Sequence, residues 1–115
     1  MARGDIFLVQ LPTSEQREEK GKRPAIAVQT DGASSPMLMV VPVTSSLQAM
    51  RFSFTVQIEP SAQNGLTKVS VAMVFQLRAL DRKRLLRKIG QLESNFLAEI
   101  DAAIWQMLKP PSSES

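Results

Sequence analysis

A chain of 115 residues with 43% hydrophobic content has room for one domain around one modest core. It has neither cysteine nor histidine, which excludes a disulfide framework, a thiolate metal site and the commonest general base and metal ligand together. Any catalysis must then run on Arg, Lys, Asp, Glu, Ser or Thr, and with a net charge of only +3 any attraction for a polyanion must come from how the 14 basic residues are distributed.

The first residues carry no signal-like apolar stretch and no apolar run approaches a membrane span, so a cytoplasmic protein without a membrane partner is expected. Residues 6–9 read as a strand, stopped by Pro12. Residues 13–23 contain no apolar side chain and predict a long exposed loop of the kind that often carries function. Residues 24–30 predict a second strand buried on both faces, and residues 31–36 a turn. Residues 37–43 predict a third strand, in which Pro42 marks an edge or a bulge. After a second loop at 45–51, residues 52–58 alternate apolar and polar, the pattern of a half-buried strand. Asn64-Gly65 supplies a turn, and residues 69–77 a fifth strand.

From Asp81 the pattern becomes helical. Asp81 is placed to cap a short helix over 82–89 that Gly90 closes, and Ser94 to cap the longest one. Phe96, Ile100, Ile104 and Leu108, joined by Leu97, Ala103 and Met107, form a core-facing stripe with Trp105 at its margin. Pro110-Pro111 stops this helix, leaving one domain over residues 1–110 and a flexible tail at 111–115. Strands first and helices last predict an α+β domain, a small, strongly curved antiparallel sheet or barrel with a helix packed on it. Its edges invite self-association.

Two places carry candidate chemistry. In Gly21-Lys22-Arg23-Pro24 a guanidinium stands where a charged loop becomes a buried strand, and the third strand ends in the hydroxyl pair Thr44-Ser45. A cation and a hydroxyl fixed at strand ends suit phosphate chemistry, with the guanidinium fork donating to non-bridging oxygens. The plain alternatives are a surface arginine at a loop end and a threonine favoured in a strand by its β-branch. Lys22 can attract phosphate without specificity, and Glu18, Glu19 and Gln76 can contact a base edge or simply face solvent. Residues 78–88 hold six basic side chains against Asp81 alone, either a polyanion footprint or a solvated helix face.

Several segments together resemble one family. They are Arg3-Gly4-Asp5-Ile6-Phe7-Leu8-Val9, Glu18-Glu19-Lys20-Gly21-Lys22-Arg23-Pro24, Val41-Pro42-Val43-Thr44-Ser45, Gly65-Leu66-Thr67-Lys68-Val69-Ser70-Val71 and Gln76-Leu77-Arg78-Ala79-Leu80-Asp81. Arg84-Leu85, Ile89-Gly90-Gln91-Leu92 and Glu99-Ile100-Asp101 continue the likeness into the C-terminal third. In this order they resemble the MazF/PemK toxins of bacterial toxin–antitoxin pairs.

The resemblance implies an SH3-like, CcdB-like antiparallel barrel with a C-terminal helix, assembled as a homodimer. It implies cleavage of single-stranded RNA without metal, cofactor or ribosome, by attack of a 2′-OH on the adjacent phosphorus, and hence growth arrest. It implies a cognate MazE/PemI-like antitoxin, with DNA contacted only through the toxin–antitoxin complex. On this chain it places Arg23 and Thr44 in catalysis and Glu18, Lys22, Ser45 and Gln76 in RNA binding. Where many members carry an acidic residue just before this glutamine or two positions earlier, this chain has Phe75 and Met73. Two other readings are a weakly active RNA-binding homologue and a CcdB-like poison that binds gyrase through the end of its last helix, near Trp105 and Leu108.

Overall fold

The computed structural model describes residues 2–11, 21–30 and 35–111. Its strands are β1 (Asp5–Gln10), β2 (Lys22–Ala27), β3 (Met37–Thr44), β4 (Thr55–Ile58), β5 (Ser70–Met73), β6 (Arg78–Asp81) and β7 (Leu85–Gln91), followed by the helix α1 (Ser94–Leu108). Short 3₁₀ turns occupy Leu47–Arg51, Val74–Gln76 and Arg82–Arg84. The strands form one antiparallel sheet in the order β4-β5-β3-β2-β1-β7, with β6 also on β3.

The apolar runs of β2 and β3 are buried on both faces; the sequence predicts this for the first, whereas Pro42, expected to mark an edge or a bulge, lies in a strand with partners on both sides. Side chains alternate across a strand. Ile26, Val41 and Val43 therefore face one core cluster, which also takes Ile6, Ile58 and the helix residue Ile100. Ala25, Ala27, Leu38 and Val40 face a second cluster on the other side, with Val9, Leu11 and Leu80. Helix α1 covers only the first face. Of its predicted stripe, Ile100 is fully buried and Phe96, Leu97, Ala103, Ile104 and Met107 pack against the core. Leu108 is 61% exposed and Trp105 63% exposed, so both lie off the buried face. The helix begins at Ser94, but its cap position is Glu93.

The central strand β3 has two partners along one edge. Val43 pairs with Ala72 of β5 and Val40 with Arg78 of β6, so six residues of chain on that side span three residues of β3. The excess is a bulge at the Val74–Gln76 turn, and Pro42, which has no N–H to offer a ladder, stands at this interruption. Sequence periodicity predicts an unbroken strand through Leu77; the bulge ends β5 at Met73 instead.

Two further expectations are corrected. Residues 82–89 are not helical: Asp81 does cap, accepting from the Lys83 N–H at 2.9 Å, but only for one 3₁₀ turn. The chain then becomes β7, because the free edge of β1 requires a hydrogen-bonding partner. Gly90 serves no helix end. A Cβ there would stand 2.3 Å from the Asn64 carbonyl group, so its absence lets β7 lie against the 61–65 turn. The Gln91 N–H donates to Gln63 O at 2.9 Å, and this contact joins the two ends of the curled sheet.

Residues 52–54 are likewise not strand. Phe52 and Phe54 lie exposed in a turn before β4, with Phe54 at φ 61°, a left-handed conformation that costs a bulky side chain about 1–2 kcal/mol.

Polar groups inside the fold are paired. Asn64, fully buried, accepts from the Ser61 and Leu66 N–H groups and donates to Glu59 O and Glu93 Oε1, tying the turn to the start of α1. Burial works to raise the Glu93 carboxyl, but hydrogen bonds from the Ser61 hydroxyl, its own N–H and Asn64 together hold it below its ordinary value. Asp5, also buried, accepts from the Ala2 N–H, Gln91 and Lys88. Burial again pushes upward, and these bonds with the Lys88 charge outweigh it, so the Asp5 carboxyl sits below its ordinary value.

Candidate nucleic-acid interface

The strand register answers whether the cation and the hydroxyl meet. Ala25 of β2 stands opposite Pro42 of β3. Continuing that antiparallel register by two residues places Arg23 opposite Thr44, and directly opposed residues project from the same face. The face is that of the second core cluster, away from α1. There the sheet ends in an open cleft of about 340 Å³ lined by Arg23, Thr44 and Gln76, with Leu11 and Gly21 at one side. Gly21 O accepts from the Leu11 N–H at 2.8 Å, which holds this side of the cleft together where the 12–20 connection departs and returns.

The same alternation separates the other sequence candidates. Lys22 precedes Arg23 within β2 and so projects from the opposite face, whereas Ser45 follows the end of β3. Lys22 is exposed and does not line the cleft; Ser45 lies on a second cavity of about 320 Å³, with Pro24, Val43 and Lys68. Glu18 and Glu19 lie outside the described residues. Gln76 reaches the cleft through the bulge, which turns an otherwise strand-like segment out of the sheet and leaves this amide exposed. The Thr44 Oγ1 accepts from the Ser46 N–H at 3.1 Å, a bond that uses a lone pair and leaves the hydroxyl proton to be donated into the cleft.

Sequence reasoning missed part of the lining. Ser46, Gln48, Arg51 and Phe52 come from the loop after β3; Arg78, at the start of β6, was already in the basic segment the sequence singled out. Three guanidiniums thus face one cavity, and no carboxylate lines it among the described residues. Of the basic segment 78–88, only Arg78 belongs there. Arg82 donates to Ser35 O, Arg84 to Gln10 O, and Lys88 pairs with Asp5. Among the described residues no cluster of three or more acidic side chains offers a metal site, and no helix is long and apolar enough to cross a membrane. Phe75, in the place of the expected carboxylate, packs on Ala49, Val71 and Met73 and against Phe52, with ring centroids 5.1 Å apart.

Residues 2–108 match the family of PemK-like, MazF-like toxins of type II toxin–antitoxin systems. Endoribonuclease MazF of Staphylococcus epidermidis is 33% identical over 104 residues, covering 89% of this chain and 86% of that protein. In structure, an endoribonuclease from a mycobacterial species, solved in complex with its cognate antitoxin, superposes with a TM-score of 0.76 at 18% identity over 97% of this chain and 98% of that one. MazF in a MazE–MazF complex from Deinococcus radiodurans gives 0.69 at 20% identity, over 96% and 95%. At these identities the structural likeness is one of fold.

Proposed function

This chain belongs to the PemK-like, MazF-like toxins of type II toxin–antitoxin systems, and from that premise we propose that it is an endoribonuclease that cuts single-stranded RNA at the Arg23–Thr44 cleft. The observation that carries the reading is that the Arg23 guanidinium and the Thr44 hydroxyl line one cavity rich in arginine.

Arg23 holds the scissile phosphate through two parallel hydrogen bonds and offsets the charge that grows on the phosphorane. Thr44 donates to a non-bridging oxygen. The ribose 2′-OH attacks the phosphorus in line and the 5′ oxygen leaves, giving a 2′,3′-cyclic phosphate and a 5′-OH. Arginines supply at this cleft the positive charge that a metal ion supplies in other phosphoryl-transfer sites, which supports metal-independent cleavage. Gln76 pairs with a base edge through its amide. Proton transfer is assigned to Glu18 or Glu19, or to water beside Arg23 and Thr44, since the cleft's described lining has neither carboxylate nor imidazole. Family membership further supports a homodimer, a cognate antitoxin that covers this cleft, and growth arrest through loss of mRNA.

The test is incubation of antitoxin-free protein with long single-stranded RNA in EDTA, followed by end analysis of the products. Cleavage to cyclic-phosphate ends is expected, and it disappears in Arg23→Ala while the melting curve is unchanged. Intact RNA in every such incubation would sink the proposal. Growth arrest that survives in an Arg23/Thr44 double variant would move the toxicity to another surface, such as the exposed Trp105 and Leu108 of α1.

A further inference from the structure

Several described basic residues are tied down; Arg51, which like Arg78 lines the cleft with no carboxylate partner among the described residues, is held by an aromatic ring instead. Arg3 is tied to Asp101 and Val28 O, Arg82 to Ser35 O, Arg84 to Gln10 O and Lys88 to Asp5. Among the described residues Arg51 touches no carboxylate and makes no hydrogen bond. Its guanidinium lies over the Phe52 ring, 4.7 Å from the centroid. A ring face attracts the cation without using its N–H donors, so the fork stays open at its edge.

The platform beneath it is braced. Phe52 rests on Phe75 of the bulge, the Phe52 N–H donates to Ala49 O at 3.1 Å, and the Thr55 hydroxyl donates to Phe52 O at 3.2 Å. The Phe75 N–H donates to Phe54 O at 3.2 Å, which secures the turn whose left-handed residue is Phe54. A strained aromatic turn clamped to a bulge, carrying a cation with open donors into the cleft that holds Arg23, is costly to build for packing alone. Backbone strain of this kind persists where the surroundings over-determine it, and it gathers at binding sites.

We propose that Arg51, oriented by the Phe52–Phe75 pair, binds a second phosphate of the RNA strand, beside the one held by Arg23 and Thr44. The inference rests on the reading of the cleft as an RNA site. It assigns to the loop after β3 a role in gripping substrate: Arg51 anchors the strand and leaves bond breaking to Arg23 and Thr44. Phe75, in the place of a family carboxylate, then has a use, since through Phe52 it props a cation that an acid there would have neutralised.

The probe is a 2′-O-methyl oligoribonucleotide, which cannot be cut, titrated by fluorescence anisotropy over a range of salt concentrations. Arg51→Gln is expected to weaken binding about tenfold at low salt and to reduce the slope of log K against log salt by about 0.7, the share of one phosphate on a single strand. Arg51→Lys retains the slope but binds more weakly, because the ammonium lacks the planar fork of donors. With cleavable RNA, Arg51→Gln raises KM and leaves kcat within about threefold. Equal slopes for the wild type and Arg51→Gln, in proteins of equal melting temperature, overturn this assignment alone. A loss confined to a polyglutamate peptide, with the RNA slope unchanged, overturns it as well in favour of an acidic protein partner. Failure of the wild type to bind the oligonucleotide at all overturns the RNA reading with it.

Discussion

Replacing Thr44 by valine removes one hydroxyl and almost nothing else. Valine is nearly isosteric, keeps the β-branch that suits the last residue of β3, and preserves the pairing of Thr44 with Val71. The lost oxygen had accepted one hydrogen bond, from the N–H of exposed Ser46 at 3.1 Å, and that N–H can turn to water. The cost to stability is therefore at the low end for a hydrogen bond, about 0.5 kcal/mol. That moves the melting temperature by roughly 2–4 °C. The cost to catalysis is of another size. A preorganised donor aimed at charge that develops in the transition state contributes about 3 kcal/mol, so kcat should fall by roughly 10²–10³. Single-turnover cleavage of a fluorogenic RNA, alongside a thermal melt of the same sample, separates the two effects. A valine variant that cuts within about threefold of the wild-type rate refutes the assignment of Thr44 to the scissile phosphate.

Arg23→Lys keeps the charge and loses the planar fork; kcat/KM should fall by about 2 kcal/mol, roughly thirtyfold, in the same assay, with little change in the salt dependence of binding. Gly90→Ala drives a methyl group to 2.3 Å from the Asn64 carbonyl, between two backbones that cannot rotate aside. It should cost about 3 kcal/mol and lower the melting temperature by roughly 12–24 °C, and an unchanged melt would mean that the 61–65 turn moves away without loss. Asp5 has its carboxyl held below the ordinary value, so its contribution to stability is complete above about pH 4 and disappears as pH falls through the lower folded value. Urea midpoints measured from about pH 6 down to about pH 2 should fall more steeply for the wild type than for Asp5→Asn, and parallel curves would contradict the sign.

Composition and local pattern carried the sequence reading a long way. A second strand buried on both faces, the turn at Asn64-Gly65 and the buried face of α1 around Ile100 were all legible, because each depends on side-chain period or on turn chemistry within a few residues; Pro42 marked an irregularity, but the extra residues lie opposite it, at Val74–Gln76. The misread segments share a different cause. In β7 the pairing to β1 slips between Ile6 and Phe7 and again between Leu8 and Val9, and these slips erase the two-residue period that marks a strand. Leu85, Leu86 and Ile89 are left at helical spacing. Phe52 and Phe54 keep strand-like alternation in a segment whose backbone is committed to the bulge of a distant strand.

The cleft divides in the same way. The sequence by itself determined which groups are available for phosphate chemistry: Arg23 and Thr44 at the ends of apolar strands, Gln76 after Phe75, and no histidine or cysteine anywhere. Only the tertiary structure decided which of them meet. The β2–β3 register, continued two residues past its last pair, brings Arg23 and Thr44 to one cavity that Lys22 and Ser45 do not line, while three extra residues in the β5–β6 edge bring Gln76 and Arg78 into it. Register is a non-local quantity. It is chosen by which faces the whole sheet can bury, and a slip of one residue would have exchanged the chemistry of the two faces.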